Sequence, residues 1–301
     1  MSHERRGMLL GVAAYVMWGL FPVYWPLLEP GGAMEILAHR IVWSLVFVLL
    51  LLVIRRRTLR DLPRDRRGLG LLGVAAALIG VNWGVFIWAV NHDHVIEASL
   101  GYFINPLVTV ALGVLVLAER LRRVQWTAVA IAAGGVAVLA AESGRPPWIA
   151  CTLAVSFGLY GLVKKVVGVG AVEGLTVEAA ALTPVALAYL AWLAVSGGST
   201  FGSHGADHSL LLMSSGAVTA VPLLCFAGAA AAVPLSQLGV VFYLNPTMQF
   251  LLGVFLRHEP LSSGRLTGFA LVWIALALFT ADGVANHRRR QLALAAEAAA
   301  A

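Results

Sequence analysis

Apolar residues in this chain gather in blocks about twenty residues long, and polar residues fall in the short gaps between them. Ten such blocks run near 8–28, 34–54, 70–90, 96–118, 124–141, 147–167, 175–195, 209–229, 236–256 and 266–284. Roughly 20 apolar helical residues cross a hydrocarbon core about 30 Å thick, so each block predicts one transmembrane helix. The gaps are short, which predicts antiparallel neighbours. The first block follows Arg5 and Arg6 as a secretory leader would. It is too long for a leader and carries no cleavage site, so it is expected to stay in the protein.

Composition agrees with this pattern. The chain has 301 residues, of which 60% are hydrophobic and 12% charged. The charged share is far below the roughly 25% of soluble domains, which excludes an ordinary water-soluble fold. A net charge of +6 invites a nucleic-acid reading. The basic residues stand in short bursts between apolar blocks, however, so they read as orientation in a membrane. Cys151 and Cys225 lie inside apolar blocks and are expected to be buried thiols.

The bursts set the sidedness. With a cytoplasmic N-terminus, one side receives Arg5 and Arg6, the Arg55–Arg67 cluster, Arg120, Arg122, Arg123, Lys164, Lys165 and Arg288 to Arg290. The other side receives Arg145, Arg257 and Arg265, and the loop 197–208 holds no Lys or Arg. Ten spans return the C-terminus to the cytoplasm, with 286–301 as a basic, low-complexity tail.

Two stretches about 140 residues apart repeat one another. Asn105-Pro106 is followed by Gly113 and Glu119; Asn245-Pro246 is followed by Gly253 and Glu259 at the same spacing. The repeat divides the chain into two five-helix halves, 8–141 and 147–285. Five is odd, so the second half enters the bilayer from the opposite side. Inverted halves around a central site are the architecture of alternating-access carriers. Each repeat proline removes an amide donor and frees a carbonyl, that of Tyr102 or of Phe242. Pro22, Pro106, Pro222 and Pro246 are therefore hinge candidates, and Glu119 and Glu259 gate or cap candidates.

Polar and aromatic stripes supply candidate cavity residues. Gly11, Tyr15, Trp18 and Pro22 lie within about 60° of one another on the first helix. The sixth helix carries Thr152, Ser156 and Tyr160 at helical spacing. The third offers Asn82, Trp83 and Phe86; the fourth, Glu97, Tyr102 and Asn105; the ninth, Gln237 and Asn245. Arg40, inside the second helix, costs roughly 2.5–3.5 kcal/mol unless paired or hydrated. Its expected partners are Glu35, Glu97 or freed carbonyls. Glu97, His39 and Glu35 are the titratable candidates should a proton be the coupling ion. Asn91-His-Asp-His94 reads as a solvated turn, not a metal site. The sequence lacks the metalloprotease, nucleophile-elbow, Walker and dinucleotide motifs, which leaves an intramembrane enzyme or a non-transporting scaffold as weaker alternatives. No cofactor is expected.

Several stretches carry a family resemblance. They are Ala13-Ala-Tyr-Val-Met-Trp-Gly19, Glu35-Ile-Leu-Ala-His-Arg40, Asn82-Trp-Gly-Val-Phe-Ile-Trp-Ala-Val-Asn91, Glu97-Ala-Ser-Leu-Gly-Tyr-Phe-Ile-Asn-Pro106 and Pro222-Leu-Leu-Cys-Phe226. Over nearly all of 8–285 the chain resembles the RarD branch of the EamA-domain transporters, within the drug/metabolite transporter superfamily. The resemblance implies an all-α integral membrane protein of ten helices in two inverted EamA-type repeats, located in the bacterial inner membrane. It implies a permease, an exporter by family habit, for small organic solutes such as amino acids, metabolites or drugs. The second repeat departs from the family pattern, with Phe242 where a Gln is usual and Asn245 where a Gly is usual.

Overall fold

The computed structural model describes residues 3–54, 56, 65–91, 94–143, 148–257 and 263–300. Its regular structure is helical throughout these residues. The first pass is α1 (His3–Gly19), α2 (Phe21–Tyr24) and a 3-10 turn (Trp25–Leu28). The next passes are α3 (Ala33–Ile54), α4 (Arg66–Asn91), α5 (Val95–Leu115) and α6 (Arg123–Ser143). The second half follows with α7 (Trp148–Val166), α8 (Ala171–Val195) and α9 (Gly205–Ala232). A divided pass, α10 (Leu235–Val241) and α11 (Leu244–Arg257), precedes α12 (Ser263–Ala300). Each expected block becomes one pass. α12 runs on past the expected end of its block near 284, through the basic segment.

The outer surface is apolar. Val195 is 91% exposed, Leu115 81%, Phe255 75% and Val185 73%. Side chains like these at such exposure belong in lipid, because a water-facing surface rarely shows large continuous apolar area. Within the bundle, backbones approach through small residues. A Cβ on Gly101 of α5 would sit 3.1 Å from the Ala150 carbonyl of α7, and one on Gly11 of α1 would sit 2.9 Å from Leu238 of α10. Helices in lipid associate chiefly by such close packing.

The packing has internal symmetry. α3 packs on α8, α6 on α12 and α5 on α10; each of these pairs joins equivalent passes of the two halves. α5 also packs on α7, and α1 correspondingly on α10 and α11; α7 packs on α4 as α1 does on α9. Exchanging each pass with the one five places on therefore returns the principal pairings, although α7 also packs on α9 with no comparable contact between α1 and α4 among the described residues. The halves are inverted. Gly7 at the start of α1 meets Ala232 at the end of α9, and Glu119, after α5, reaches Leu235 at the start of α10. At the opposite face Glu35, starting α3, meets Thr200 after α8, and Trp148, starting α7, meets Trp88 near the end of α4. α1 thus enters from the Glu119 face and its counterpart α7 from the Glu35 face.

The prolines behave unequally. Pro106, Pro184 and Pro222 sit inside unbroken helices. Only the second repeat copy is divided, between Val241 and Leu244, and there the Phe242 carbonyl accepts from the Asn245 amide at 2.9 Å. That carbonyl was expected to be free; the turn itself satisfies it. The first pass breaks after Gly19, with Pro22 and Pro26 opening the short helical pieces, where a missing amide does no harm.

Candidate solute site between the halves

Arg40 lies seven residues past the start of α3, about 10 Å along the helix from the Glu35 face. Its guanidinium carbon stands 4.6 Å from the centre of the Trp25 ring and 5.0 Å from that of Trp83. Arg40 Nε donates to Thr219 Oγ1 at 2.9 Å, midway along α9. Desolvated cation–π contacts are worth up to about 2 kcal/mol each, so two rings offset most of the cost of a charge at this depth. Tyr24 and Tyr102 are close enough to feel its charge. Glu35 is not its partner. That carboxylate is 2% exposed and accepts from Ser199 Oγ and from the Thr200 amide and hydroxyl, at 2.8–3.0 Å. His208 in turn contacts Thr200 Oγ1 at 2.9 Å. Glu35 therefore staples the loop after α8 to α3. The Glu97 side chain and the whole of Glu259 lie outside the described residues.

An aromatic chain leads inward from Arg40. Tyr102 stacks near Phe242 with centroids 6.5 Å apart and lies 6.1 Å from Phe86. Phe242 meets Tyr15 at 5.1 Å and Phe157 at 5.8 Å; Phe157 meets Trp18 at 5.5 Å. Tyr15 is 1% exposed and belongs to the core beneath, whereas Trp18, Arg40, Asn82, Trp83 and Tyr102 are partly exposed. These five come from four different passes, yet contacts link their neighbourhoods. Position 242, where the family usually has a Gln, is thus filled by a ring that joins the two sides of the cluster.

The expected polar contacts divide into two groups. Asn82 Nδ2 donates to the Leu153 carbonyl at 2.9 Å and to Ser156 Oγ at 3.0 Å, tying α4 to α7 beside the cluster. Asn105 is 2% exposed and donates to the Ala154 carbonyl at 3.0 Å; Asn245, 3% exposed, accepts from Gln249. Both repeat asparagines are helix-to-helix or intrahelical ties sealed from the aromatic cluster's open side. Tyr160, 1% exposed, donates to Glu178 Oε2 at 3.0 Å, and Lys164 Nζ lies 2.7 Å from Glu178 Oε1. Sequence reasoning missed Glu178 altogether and placed Lys164 at the interface. An acid inside an apolar block was the available signal. Thr219 and Trp25 were also missed, and only contact geometry reveals them.

The Glu119 face is tied by side-chain-to-backbone bonds. Glu119 Oε1 accepts from the Leu235 amide at 2.7 Å and Oε2 from the Ser236 amide at 2.9 Å, capping α10. A Cβ at Gly113 would stand 2.7 Å from Glu119 Oε2, which explains why glycine precedes this acid. Lys165 Nζ donates to the Ala230 carbonyl at 3.2 Å and also to that of Val233, at the end of α9. A separate opening beside Pro106, between α5, α6, α10 and α12, is walled by apolar residues such as Val110, Ala132 and Tyr243. It presents little for a polar solute to bind. Cys151 and Cys225 are free thiols, though Cys151 is exposed on the outer surface and not buried as expected.

Comparison with known proteins supplies the family context. The model of the EamA-like transporter family matches residues 5–141. Protein RarD of Streptomyces exfoliatus is 53% identical over 299 residues, covering 99% of this chain and 95% of that protein. An uncharacterized transporter of Vibrio cholerae is 44% identical over 290 residues, covering 95% and 96%. A solved crystal structure at 17% identity superposes with a TM-score of 0.71 over 90% of this chain and 96% of its own, a likeness of fold.

Proposed function

The chain belongs to the RarD branch of the EamA-like transporter family, and from that membership we propose that it is a secondary carrier moving small organic solutes across the bacterial inner membrane, outward, by alternating access. Its two halves, 8–141 and 147–285, act as the rocking repeats. Both termini face the cytoplasm, so the Glu119 face is the cytoplasmic one and carries most of the basic residues. The observation that carries the reading is the exchange symmetry of the packing around the Arg40–Tyr102–Phe242 cluster. Near-equivalent halves make the outward- and inward-facing arrangements close in energy, which a carrier cycle requires. The Glu119 and Lys165 ties, holding α9 and α10 closed on one side, support a state open toward the other. Trp18, Arg40, Asn82, Trp83 and Tyr102 line the solute path, with Ser156 buried behind Asn82; Pro22 and the Val241–Leu244 break act as hinges. Amino acids, metabolites and drugs are the solute classes to try first, with a proton as the coupling ion.

The test is a solute-uptake screen with purified protein in vesicles, with and without an imposed pH gradient. Accumulation of at least one solute above its level in protein-free vesicles is expected, changed in extent by the gradient. Equilibration of no solute in either condition overturns the carrier reading, and accumulation unaffected by the gradient overturns proton coupling.

A further inference from the structure

We infer that Arg40 is an anion-binding subsite and that the transported solute carries a single carboxylate on an apolar or aromatic body. The inference rests on the carrier reading and narrows its substrate class. It starts from what the guanidinium leaves undone. Nε is spent on Thr219, and the guanidinium carbon stands over both the Trp25 and the Trp83 rings. Among the described residues, no acceptor takes a hydrogen bond from its terminal nitrogens and no carboxylate pairs with it. Nor are those nitrogens sealed in. Arg40 is partly exposed, and among the described residues the buried side-chain nitrogen without a partner is His39 Nε2.

The geometry then selects a ligand. A guanidinium packed against two rings and anchored through Nε presents its terminal nitrogens as a two-pronged donor, which matches the two oxygens of a carboxylate. The lysines of α7 are occupied elsewhere: Lys164 by Glu178 and Lys165 by carbonyls at the Glu119 face. Among the described residues of this cluster Arg40 is the one cation, and a single positive charge favours a monoanion over a phosphate dianion. Beyond Arg40 stand the partly exposed rings of Trp83, Tyr102 and Phe86, backed by the buried Phe242, which suit a flat apolar body.

The experiment compares phenylacetate with its neutral twin phenylacetamide, by calorimetric binding in detergent and by counterflow in vesicles. Wild type is expected to bind the acid about ten- to a hundredfold more tightly than the amide, the scale of a charge-assisted pair. Arg40→Gln should bring the two to parity, Arg40→Lys should keep part of the preference, and Thr219→Val should weaken the acid alone. Melting curves check that each variant folds. Equal binding of acid and amide by wild type, binding of neither, or a preference that survives Arg40→Gln each overturn the subsite. Counterflow of some other solute with no preference for the acid leaves the carrier standing while the subsite falls. Arg40-dependent binding without any counterflow does the reverse.

Discussion

Lys164 Nζ lies 2.7 Å from Glu178 Oε1, with the two side chains only 3% and 2% exposed. Tyr160 closes the triad from one helical turn away on α7. Removing one partner of a sealed ion pair leaves an uncompensated charge, at a cost of about 3–5 kcal/mol, whereas removing both costs far less. Glu178→Gln and Lys164→Met should each lower the melting temperature sharply in detergent. The double variant should recover much of the loss. Tyr160→Phe should cost about 1 kcal/mol. Single variants that melt like wild type would show that the pair contributes nothing to holding α7 against α8.

Glu119 caps the opening turn of α10 through two amides and the Ser236 hydroxyl. Glu119→Ala should cost about 1–2 kcal/mol, the usual range for a lost cap with charge. Hydrogen exchange by mass spectrometry should report it locally. Protection at Leu235 and Ser236 should fall about tenfold while α3 and α8 are unchanged. Uniform loss of protection across the bundle would instead make Glu119 a general fold determinant, not a local latch.

Depth in the membrane was legible in the sequence, and direction around each helix was not. Hydropathy fixed where the ten passes lie because the cost of exposing polar backbone to lipid acts along the bilayer normal. It says little about which neighbour a side chain meets. Tyr15 and Trp18 share a stripe on α1, yet Tyr15 is core and Trp18 is partly open. Asn105 and Asn245 marked the repeat correctly, but their amides are spent on Ala154 and Gln249. Lys164 was counted as an interfacial charge and proves to be buried, although its neighbour Lys165 keeps the count on the same face. Thr219 carries no signal in a single sequence, since a hydroxyl in an apolar helix usually bonds its own backbone.

That division separates transport variants from stability variants. Trp18→Ala and Tyr102→Ala remove partly exposed rings, so uptake in vesicles should drop by about tenfold or more with insertion and melting near wild type. Asn105→Ala deletes a sealed tie between α5 and α7, worth about 0.6 kcal/mol on average in membrane bundles. Its melting temperature should fall modestly, with uptake per folded molecule nearly unchanged. If Trp18→Ala and Tyr102→Ala both transport normally while Asn105→Ala does not, the solute path runs between α5 and α7 instead.

Sidedness is the remaining condition for a two-faced carrier. Arg123 stands exposed at the start of α6, on the Glu119 face; Ser203 stands exposed in the loop before α9, on the Glu35 face. In a background with Cys151 and Cys225 replaced, Ser203→Cys should react with a membrane-impermeant maleimide in intact cells. Arg123→Cys should react only after the membrane is opened. A further cysteine at Glu259 should label with Ser203→Cys, because the second copy of the Asn-Pro repeat must end on the side opposite the first. Labelling of positions 123 and 259 from one and the same side would mean that the repeat is not inverted. The exchange symmetry of the packing would then be an accident of helix pairing, with no second open state for it to generate.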